Sequence, residues 1–405
     1  MSLIVQKYGG SSVAGPERIK KVAERVKSYH KKGHQVVVVV SAMGDTTDDL
    51  LELVSQVTPG AAPRELDMLL ATGEQVSMSL LAMALHELNC PAVSLTGHQA
   101  GIRTTSAHTR ARIRSIHTPR IFDYLKKKKV VIVAGFQGMD AKREITTLGR
   151  GGSDLTAVAL AKALNADACE IYTDVEGIYT TDPRVVKSAK KLKKISYEEM
   201  LELASSGAQV MQSRSIEVAG KFDIPLHVRS SFTKNEGTWI VKEDRSMEDV
   251  MIRGVSVNRQ EAKLTIKSVP NRPGVAAAIF RTLAKSGVNV DMIIQDIGKA
   301  TDTSISFTIP RGDASKAVKA LRAAQKKIGF KEVLEDLNIA KVSVVGIGMR
   351  SHAGVAAEMF EALGKHRINI EMISTSEIKI SCIVRKQEAD RAVKVLHDHF
   401  KLGKK

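Results

Sequence analysis

Four stretches of this chain carry residue types that could bind anions and handle carboxylates. Lys7-Tyr8-Gly9-Gly10-Ser11-Ser12 sets a lysine beside two glycines and two serines. Glycine lets the backbone approach an anion closely, successive N–H groups cradle it, and an ammonium supplies a point charge suited to phosphate. The spacing matches neither a Walker A loop nor a dinucleotide fingerprint, and a Gly-rich turn with a solvated lysine reads the same way. Thr147-Leu148-Gly149-Arg150-Gly151-Gly152-Ser153-Asp154 offers a guanidinium fork for a carboxylate. The helix it opens adds free N–H groups and a positive dipole, and Asp154 fits either a ligand site or the helix N-cap. The run from Tyr172-Thr173-Asp174 to Asp182-Pro183-Arg184 has carboxylates for Mg2+-linked phosphates and an arginine for their charge, though a turn-rich loop has the same composition. Glu74 ends the apolar run Leu69-Leu70-Ala71-Thr72-Gly73-Glu74. An unpaired carboxylate there is costly, so it needs a partner such as a ligand ammonium, unless it faces solvent.

Periodicity supplies the elements that must hold these stretches. Leu3-Ile4-Val5 reads as a buried strand entering the Lys7 segment, and Pro16–Lys31 as a helix with Ile19, Val22, Ala23 and Val26 on one face. Residues 36–40 and 130–134 are continuous apolar runs, the pattern of parallel strands covered on both faces. Residues 64–88 read as one long helix, 93–95 as a strand, 154–164 as an apolar helix and 170–173 as a strand. Strands alternating with helices make a layered α/β sheet. Such sheets bind ligands beyond the carboxyl ends of their strands, which is where the segments starting at Lys7, Ser41, Gly135 and Asp174 fall.

The C-terminal part repeats itself. Gly274-Val275-Ala276-Ala277-Ala278-Ile279-Phe280 recurs as Gly354-Val355-Ala356-Ala357-Glu358-Met359-Phe360. Val288-Asn289-Val290-Asp291-Met292-Ile293 recurs as Ile368-Asn369-Ile370-Glu371-Met372-Ile373, again 80 residues on. One offset shared by two blocks means a supersecondary unit used twice. Each copy reads as a strand, a helix (275–285; 355–365), a second strand (288–294; 368–374), alternating strands and a closing helix (314–327; 388–400). The expected domains are a body over 1–245 and two small α+β domains over 262–335 and 340–405, after a charged link at 242–254.

A net charge of +17, with lysine runs at 126–129 and at Lys190, Lys191, Lys193 and Lys194, raises nucleic-acid binding as a question. At 4% aromatic residues the basic runs lack the rings that stack bases, and no zinc-finger or RNA-binding sheet signature is present. They read as solvated faces, and a polyanionic small substrate would gain from the positive field. The runs at 36–40 and 130–134 are far short of a membrane span, and residues 1–10 lack a signal-peptide hydrophobic region. Cys90, Cys169 and Cys382 lie far apart without metal-type spacing, so no protein metal site is expected, and free thiols suit a reducing cytosol. The expectation is a cytoplasmic protein with no nucleic-acid or membrane partner.

Together, Lys7 to Ser12, Ser41-Ala42-Met43-Gly44-Asp45-Thr46-Thr47-Asp48, Gly149 to Asp154, and Asp182-Pro183-Arg184 resemble aspartate kinase, of the amino-acid kinase superfamily. The repeats resemble that family's tandem ACT regulatory domains. The four motifs occur in order and the resemblance covers nearly the whole chain. Without a dinucleotide fingerprint, the homoserine dehydrogenase fused to some relatives is not expected.

The resemblance implies an amino-acid-kinase-type layered α/β sandwich followed by two ferredoxin-like α+β ACT domains. It implies ATP-dependent phosphorylation of the side-chain carboxylate of L-aspartate, giving 4-phospho-L-aspartate on the way to lysine, threonine and methionine. On this resemblance Lys7 and Asp154 are catalytic, with Tyr8, Gly9 and Gly10 at the transferring phosphate. Arg150 clamps a substrate carboxylate, and Ser41, Asp45, Thr46, Thr47, Gly151, Gly152 and Ser153 place the substrate. Glu74 receives its ammonium. Thr173, Asp174, Tyr179, Thr180, Thr181, Asp182, Pro183 and Arg184 form the nucleotide side for ATP with Mg2+. Relatives often have a lysine where this chain has Gln209, whose amide can hydrogen-bond but brings no charge.

ACT domains in relatives pair across chains and bind end-product amino acids, shifting the kinase between states. Asp291 and Glu377 could take a lysine ammonium, and Asn289, Gln295, Asn369 and Ser376 a small polar amino acid, with Gly274 and Ala276 admitting close backbone approach. Val355, Ala356 and Ile370 are counted with the effector residues. Asn271 replaces an acid common in relatives, which leaves one effector's identity open. Threonine and lysine are the expected effectors. The expected assembly is a homo-oligomer, or a complex with a shorter ACT-only subunit begun at Met247 or Met251. A kinase for glutamate or N-acetylglutamate, a sensor without catalysis, and a basic nucleic-acid binder are the alternatives. Glu74 argues for a free α-amino group, and Lys7, Arg150 and Asp154 argue against the sensor.

Overall fold

A computed structural model describes residues 2–208, 210–243, 250–297 and 303–403, which leaves Gln209 and Met247 outside the described residues. The chain forms two compact units: residues 1–178, 191–204 and 209–244 make the first, and 179–190, 205–208 and 245–405 the second.

The first unit is built on an eight-stranded sheet. Its order is Lys194–Ser196, Thr238–Val241, Leu226–Ser230, Ala168–Thr173, Leu3–Tyr8, Gln35–Val40, Val130–Ala134 and Ala92–Leu95. The central strands run parallel, which is why residues 36–40 and 130–134 carry no polar face. Helix Pro16–Lys31 sets Ile19, Val22, Ala23 and Val26 against Val36, Val38 and Val40, beside Leu81 and Leu85 of helix Thr72–Glu87. Tyr8 belongs to that core. Because strand side chains alternate, Lys7 points to the opposite face, towards helix Gly152–Leu164.

Two features depart from the sequence expectation. The helix expected over 64–88 is divided at Ala71 into Pro63–Leu70 and Thr72–Glu87. Pro63–Glu87 is long and apolar enough to cross a membrane, yet half of its apolar window is buried within the protein. A second sheet of four short strands (Ile102–Thr104, Ile113–Ile116, Gln137–Met139, Ile145–Thr147) was not anticipated. Strands of three or four residues are too short to show a period.

The second unit contains the repeats. The first copy is a complete βαββαβ fold: Glu261–Val269, Val275–Lys285, Ile293–Ile297, Thr303–Pro310, Ala314–Ile328 and Glu332–Asp336. The second copy supplies Ile339–Val345, Val355–Lys365, Met372–Thr375, Lys379–Arg385 and Ala389–His399. Its fourth strand is Gly254–Asn258, antiparallel to Ile339–Val345, where the sequence had suggested the end of a link. The first copy is thus inserted between two strands of the second. Val255 buries itself against Val342 and Val344, a signal too brief to read as a strand. The second strands begin at Ile293 and Met372, later than expected. The Val288 and Ile368 N–H groups first close back on the carbonyls of Leu283 and Leu363, finishing the preceding helices.

Ion pairs tie the two copies together. Lys341 of the second copy is 3% exposed and pairs with Glu261, at 3.2 Å, and with Asp291 of the first. Reciprocally, Lys263 of the first copy pairs with Glu371 of the second, which also meets Arg385 at 2.5 Å. Each copy's lysine therefore holds the repeated acid of the other, around a shared cluster of Met292, Met372, Ile339 and Ile383. Removing one partner of a buried pair strands the other charge, at roughly 3–5 kcal/mol. Lys341→Ala should accordingly lower the urea midpoint followed by circular dichroism, while Lys20→Ala, whose partner Glu17 is exposed, leaves it unchanged. Equal midpoints in the two variants would show that the inter-copy pairs do not stabilise the unit.

Candidate active site

The loops at the carboxyl ends of the central strands are tied to one another by backbone hydrogen bonds. Ser41 N–H donates to the Tyr8 carbonyl (3.1 Å), Gly9 to Tyr172 (3.3 Å), Gly135 to Val40 (3.0 Å) and Ser231 to Thr173 (2.8 Å). Gly44 N–H reaches the Gly10 carbonyl at 3.1 Å. A side chain at Gly10 would stand 3.0 Å from the carbonyl oxygens of Ala42 and Gly44, so only glycine lets these loops close up.

Asp154 is the third residue of helix Gly152–Leu164, whose N-cap position belongs to Gly151, so its carboxylate does not cap the helix. It meets Lys7 Nζ at 2.6 Å, with the two side chains 8% and 12% exposed. The ammonium lies over Gly9, 3.3 Å from where a Cβ would be. The helix N-terminus favours the carboxylate, and the carboxylate holds the ammonium. Arg150 is exposed, in a turn between Gly149 (φ 79°) and Gly151 (φ 69°) that leads directly into this helix. Lys7 and Arg150 are therefore at the same end of the sheet. Ser153 is buried against Gly135, where an added Cβ would lie 2.7 Å from its Oγ.

The segment from Ser41 into helix Thr46–Val57 leaves strand Gln35–Val40, which neighbours the strand carrying Lys7. The Ala42 N–H donates to Glu74 Oε1 (3.1 Å), Ser77 Oγ to the Ser41 carbonyl (2.6 Å), and Thr46 Oγ1 to the Met43 carbonyl (2.6 Å). Ser41 and Thr47 are half-buried and Asp45 is exposed. Glu74 is 3% exposed, and its Oε2 is buried without a hydrogen-bond partner. Burial, only partly opposed by the Ala42 N–H, raises its pKa to about 7. With one oxygen buried and unpaired, the charged carboxylate is disfavoured relative to the neutral acid.

The residues read as the nucleotide side are divided between the units. Thr173 Oγ1 donates to Asp174 (2.9 Å) at the end of its strand. Tyr179 to Arg184 belong to the second unit. There the half-buried Asp182 accepts a fork from Arg184 (Nε 3.0 Å, Nη2 2.9 Å), which holds its pKa below the usual range. Pro183 between them is exposed, and Tyr179 is half-buried. Thr180 and Thr181 are buried rather than open to a ligand. Thr180 Oγ1 meets Nε2 of the buried His397 at 3.0 Å, and its carbonyl accepts the Val255 N–H at 2.8 Å.

Within one chain the candidate effector residues are not gathered. Gly274 and Ala276 begin helix Val275–Lys285 and Asn289 follows it, so about 16 Å of helix separates them. Val355 and Ala356 stand in the same relation to Asn369 and Ile370 across Val355–Lys365. Asn289, Gln295, Asn369, Ser376 and Glu377 are exposed. Glu377 lies 3.4 Å from Arg350, while the Asp291 carboxylate is engaged by Lys341.

Sequence reasoning missed two buried polar centres. Asp67 accepts bonds from Thr147, Thr109 and His108. Glu170 accepts from Gln6, Tyr29, Tyr172 and Arg229 beneath the strand ends. An acid in an apolar run, the clue that marked Glu74, was present at Asp67 too.

The amino acid kinase family profile matches residues 2–230, and an ACT domain profile matches 267–325 and 342–400. An aspartate kinase from Stutzerimonas stutzeri is 53% identical over 403 residues, covering 99% of this chain and 98% of that protein. The chain belongs to the aspartokinase family. Among solved structures, E. coli aspartokinase III in complex with aspartate and ADP (R-state) has a TM-score of 0.80 at 27% identity, over 98% of this chain and 99% of that one. The same enzyme with lysine and aspartate (T-state) has a TM-score of 0.76 at 27% identity, with the same coverage. The amino-acid kinase body and the paired ACT domains expected from the motifs are both present in this aspartokinase.

The raised Glu74 pKa has a consequence for stability. The folded state keeps this proton to higher pH than the unfolded chain, so stability falls as pH rises from about 4.5 through about 7. Glu74→Gln removes that loss. It should raise the melting temperature relative to wild type at pH 8.5, by an amount worth roughly 1–3 kcal/mol, and raise it much less at pH 5. An offset independent of pH would refute the assignment.

Proposed function

We propose that this aspartokinase transfers the γ-phosphoryl group of ATP to the side-chain carboxylate of L-aspartate through the site headed by Lys7, Asp154 and Arg150. The observation that carries the reading is the 2.6 Å Lys7–Asp154 pair at the N-terminus of the helix that Arg150 introduces. An acceptor oxygen bonds to the γ-phosphorus as the β–γ bridging bond breaks, and ADP leaves. A carboxylate is already nucleophilic, so the protein has to align the partners and neutralise charge. The Lys7 ammonium steadies the transferring phosphoryl oxygens over the Gly9 and Gly10 backbone. Arg150 receives the substrate α-carboxylate, Ser41, Thr47 and Ser153 orient it, and Glu74 takes its ammonium. The two anions thereby meet at a point of concentrated positive charge.

Mg2+ would enter with the nucleotide, neutralising phosphate charge, with Asp154 as its protein carboxylate. Among the described residues no three His, Cys, Asp or Glu side chains converge on a metal position. A Mg2+ bound mainly through phosphates needs only one or two carboxylates.

For regulation, residues 179–190 share a compact unit with the ACT repeats. Effector-driven movement of the repeats would therefore reach the nucleotide-side segment first. Threonine and lysine acting together are the proposed effectors, bound where ACT domains of two chains pair. That contact would bring together residues that one chain holds apart. The assembly would be a homo-oligomer, or include a shorter ACT-only chain, in the cytoplasm.

Turnover measured by coupled ADP release should require aspartate, with glutamate and N-acetylglutamate inactive. Lys7→Ala and Asp154→Asn should each lose at least about a hundredfold in kcat while remaining folded. The aspartate KM should fall as pH rises through about 7, and this dependence should vanish in Glu74→Gln. Near-normal turnover in either of the first two variants would remove its assigned role, and a flat response to lysine plus threonine would remove the regulatory one.

A further inference from the structure

The Asp67 carboxylate is fully buried, and both of its oxygens are engaged. Oδ1 accepts from Thr147 Oγ1 at 2.6 Å, the Thr109 N–H lies 3.0 Å from both oxygens, and His108 Nδ1 lies 2.8 Å from Oδ2. These donors come from two segments remote in sequence: the loop before strand Ile113–Ile116, and strand Ile145–Thr147.

From there the chain runs straight to Arg150. The Thr147 carbonyl accepts the Ala111 N–H (2.9 Å), and Arg214 reaches the Leu148 and Ala111 carbonyls at 3.3 and 3.4 Å. A Cβ on Gly149 would stand 3.2 Å from the Thr109 carbonyl, so the Arg150 turn rests on the very residue whose N–H is bound to Asp67. Thr109 itself is held at φ 65°, a conformation that needs such support outside glycine. In the other direction, the Asp67 carbonyl accepts the Ala71 N–H (3.0 Å), and the Ala71 carbonyl accepts Gln137 Nε2 (2.8 Å). Helix Thr72–Glu87, with Glu74 in its first turn, starts at that point.

We infer that Asp67 is a positioning residue for the acceptor half of the site. Through Thr147 and Thr109 it sets the origin of Arg150, through Ala71 that of Glu74, and so the length of amino dicarboxylate that both can hold. This rests on the acceptor roles of Arg150 and Glu74 given above. Asp67 touches no reactant. Its effect is on geometry, where a displacement of about 1 Å costs large factors in rate.

Aspartate and ATP KM values should be measured separately for Asp67→Asn, Thr147→Val, Thr147→Ser and Arg150→Ala. Asp67→Asn should raise the aspartate KM roughly tenfold and Thr147→Val about fivefold, consistent with losing one hydrogen bond to a charged group. The ATP KM should stay within about twofold, and the preference for aspartate over glutamate should narrow. Thr147→Ser, which keeps the hydroxyl, should match wild type. A carboxylate that only stabilised the fold would lower the active fraction and leave both KM values in place, which overturns the inference. So would a rise in both KM values together. If Asp67→Asn does not fold, the Val and Ser variants at Thr147 decide alone. If Arg150→Ala raises the aspartate KM and Thr147→Val does not, only the positioning claim falls. If Arg150→Ala leaves it unchanged, the acceptor reading falls and takes this inference with it.

Discussion

Lys7 and Asp154 stand 2.6 Å apart with little exposure, and the arrangement of the strand ends around them depends on that pair. Removing either partner would leave the other charge buried without its counter-ion. Together, and with a helix N-terminus behind the carboxylate, they hold an ion pair at the ends of the strands. For them to meet, the strand carrying Lys7 must place it on the helix-152 side. Tyr8, on the opposite side, must be anchored firmly enough to prevent slippage, because a one-residue shift would reverse the two. The anchoring is visible: Tyr8 stacks on Tyr172 at 4.7 Å, above the hydrogen-bonded cluster around Glu170.

Glu74, the Ser41 segment and the Arg150 turn lie within the first unit, as do the buried polar contacts of Asp67 and Gln137. Residues 179–184 belong to the second unit, where Thr180 is fastened to His397 and to the Val255 strand. The insertion of one repeat inside the other joins them through a shared sheet edge: Gly254–Asn258 completes the second repeat from the far side of the first. The exchanged lysine–acid pairs between the copies reinforce this.

Much of this was legible before any coordinates. The uninterrupted apolar runs at 36–40 and 130–134 carry the parallel sheet, since strands covered on both faces have no polar alternation. The glycine-rich corners after the strands, and Glu74 in an apolar stretch, fall at the ends of strands that the structure brings together. Asp67 offered the same clue but was passed over, because nothing local says which donors will reach it. Thr180, which the resemblance puts on the nucleotide side, is buried in the structure. Its burial depends on a helix more than two hundred residues away.

The sequence by itself determined the layered α/β body and the twofold use of one small α+β unit. Those properties follow from local periodicity, residue type and spacing. Only the tertiary structure decided that Asp154 pairs with Lys7 instead of capping its helix, and that Glu74 is buried with one oxygen free. It also decided that Asp291 is bound to Lys341, and that strand 254–258 completes the second repeat. Each of these joins groups far apart along the chain, and their free energies arise from desolvation and long-range contact, which no stretch of sequence encodes alone.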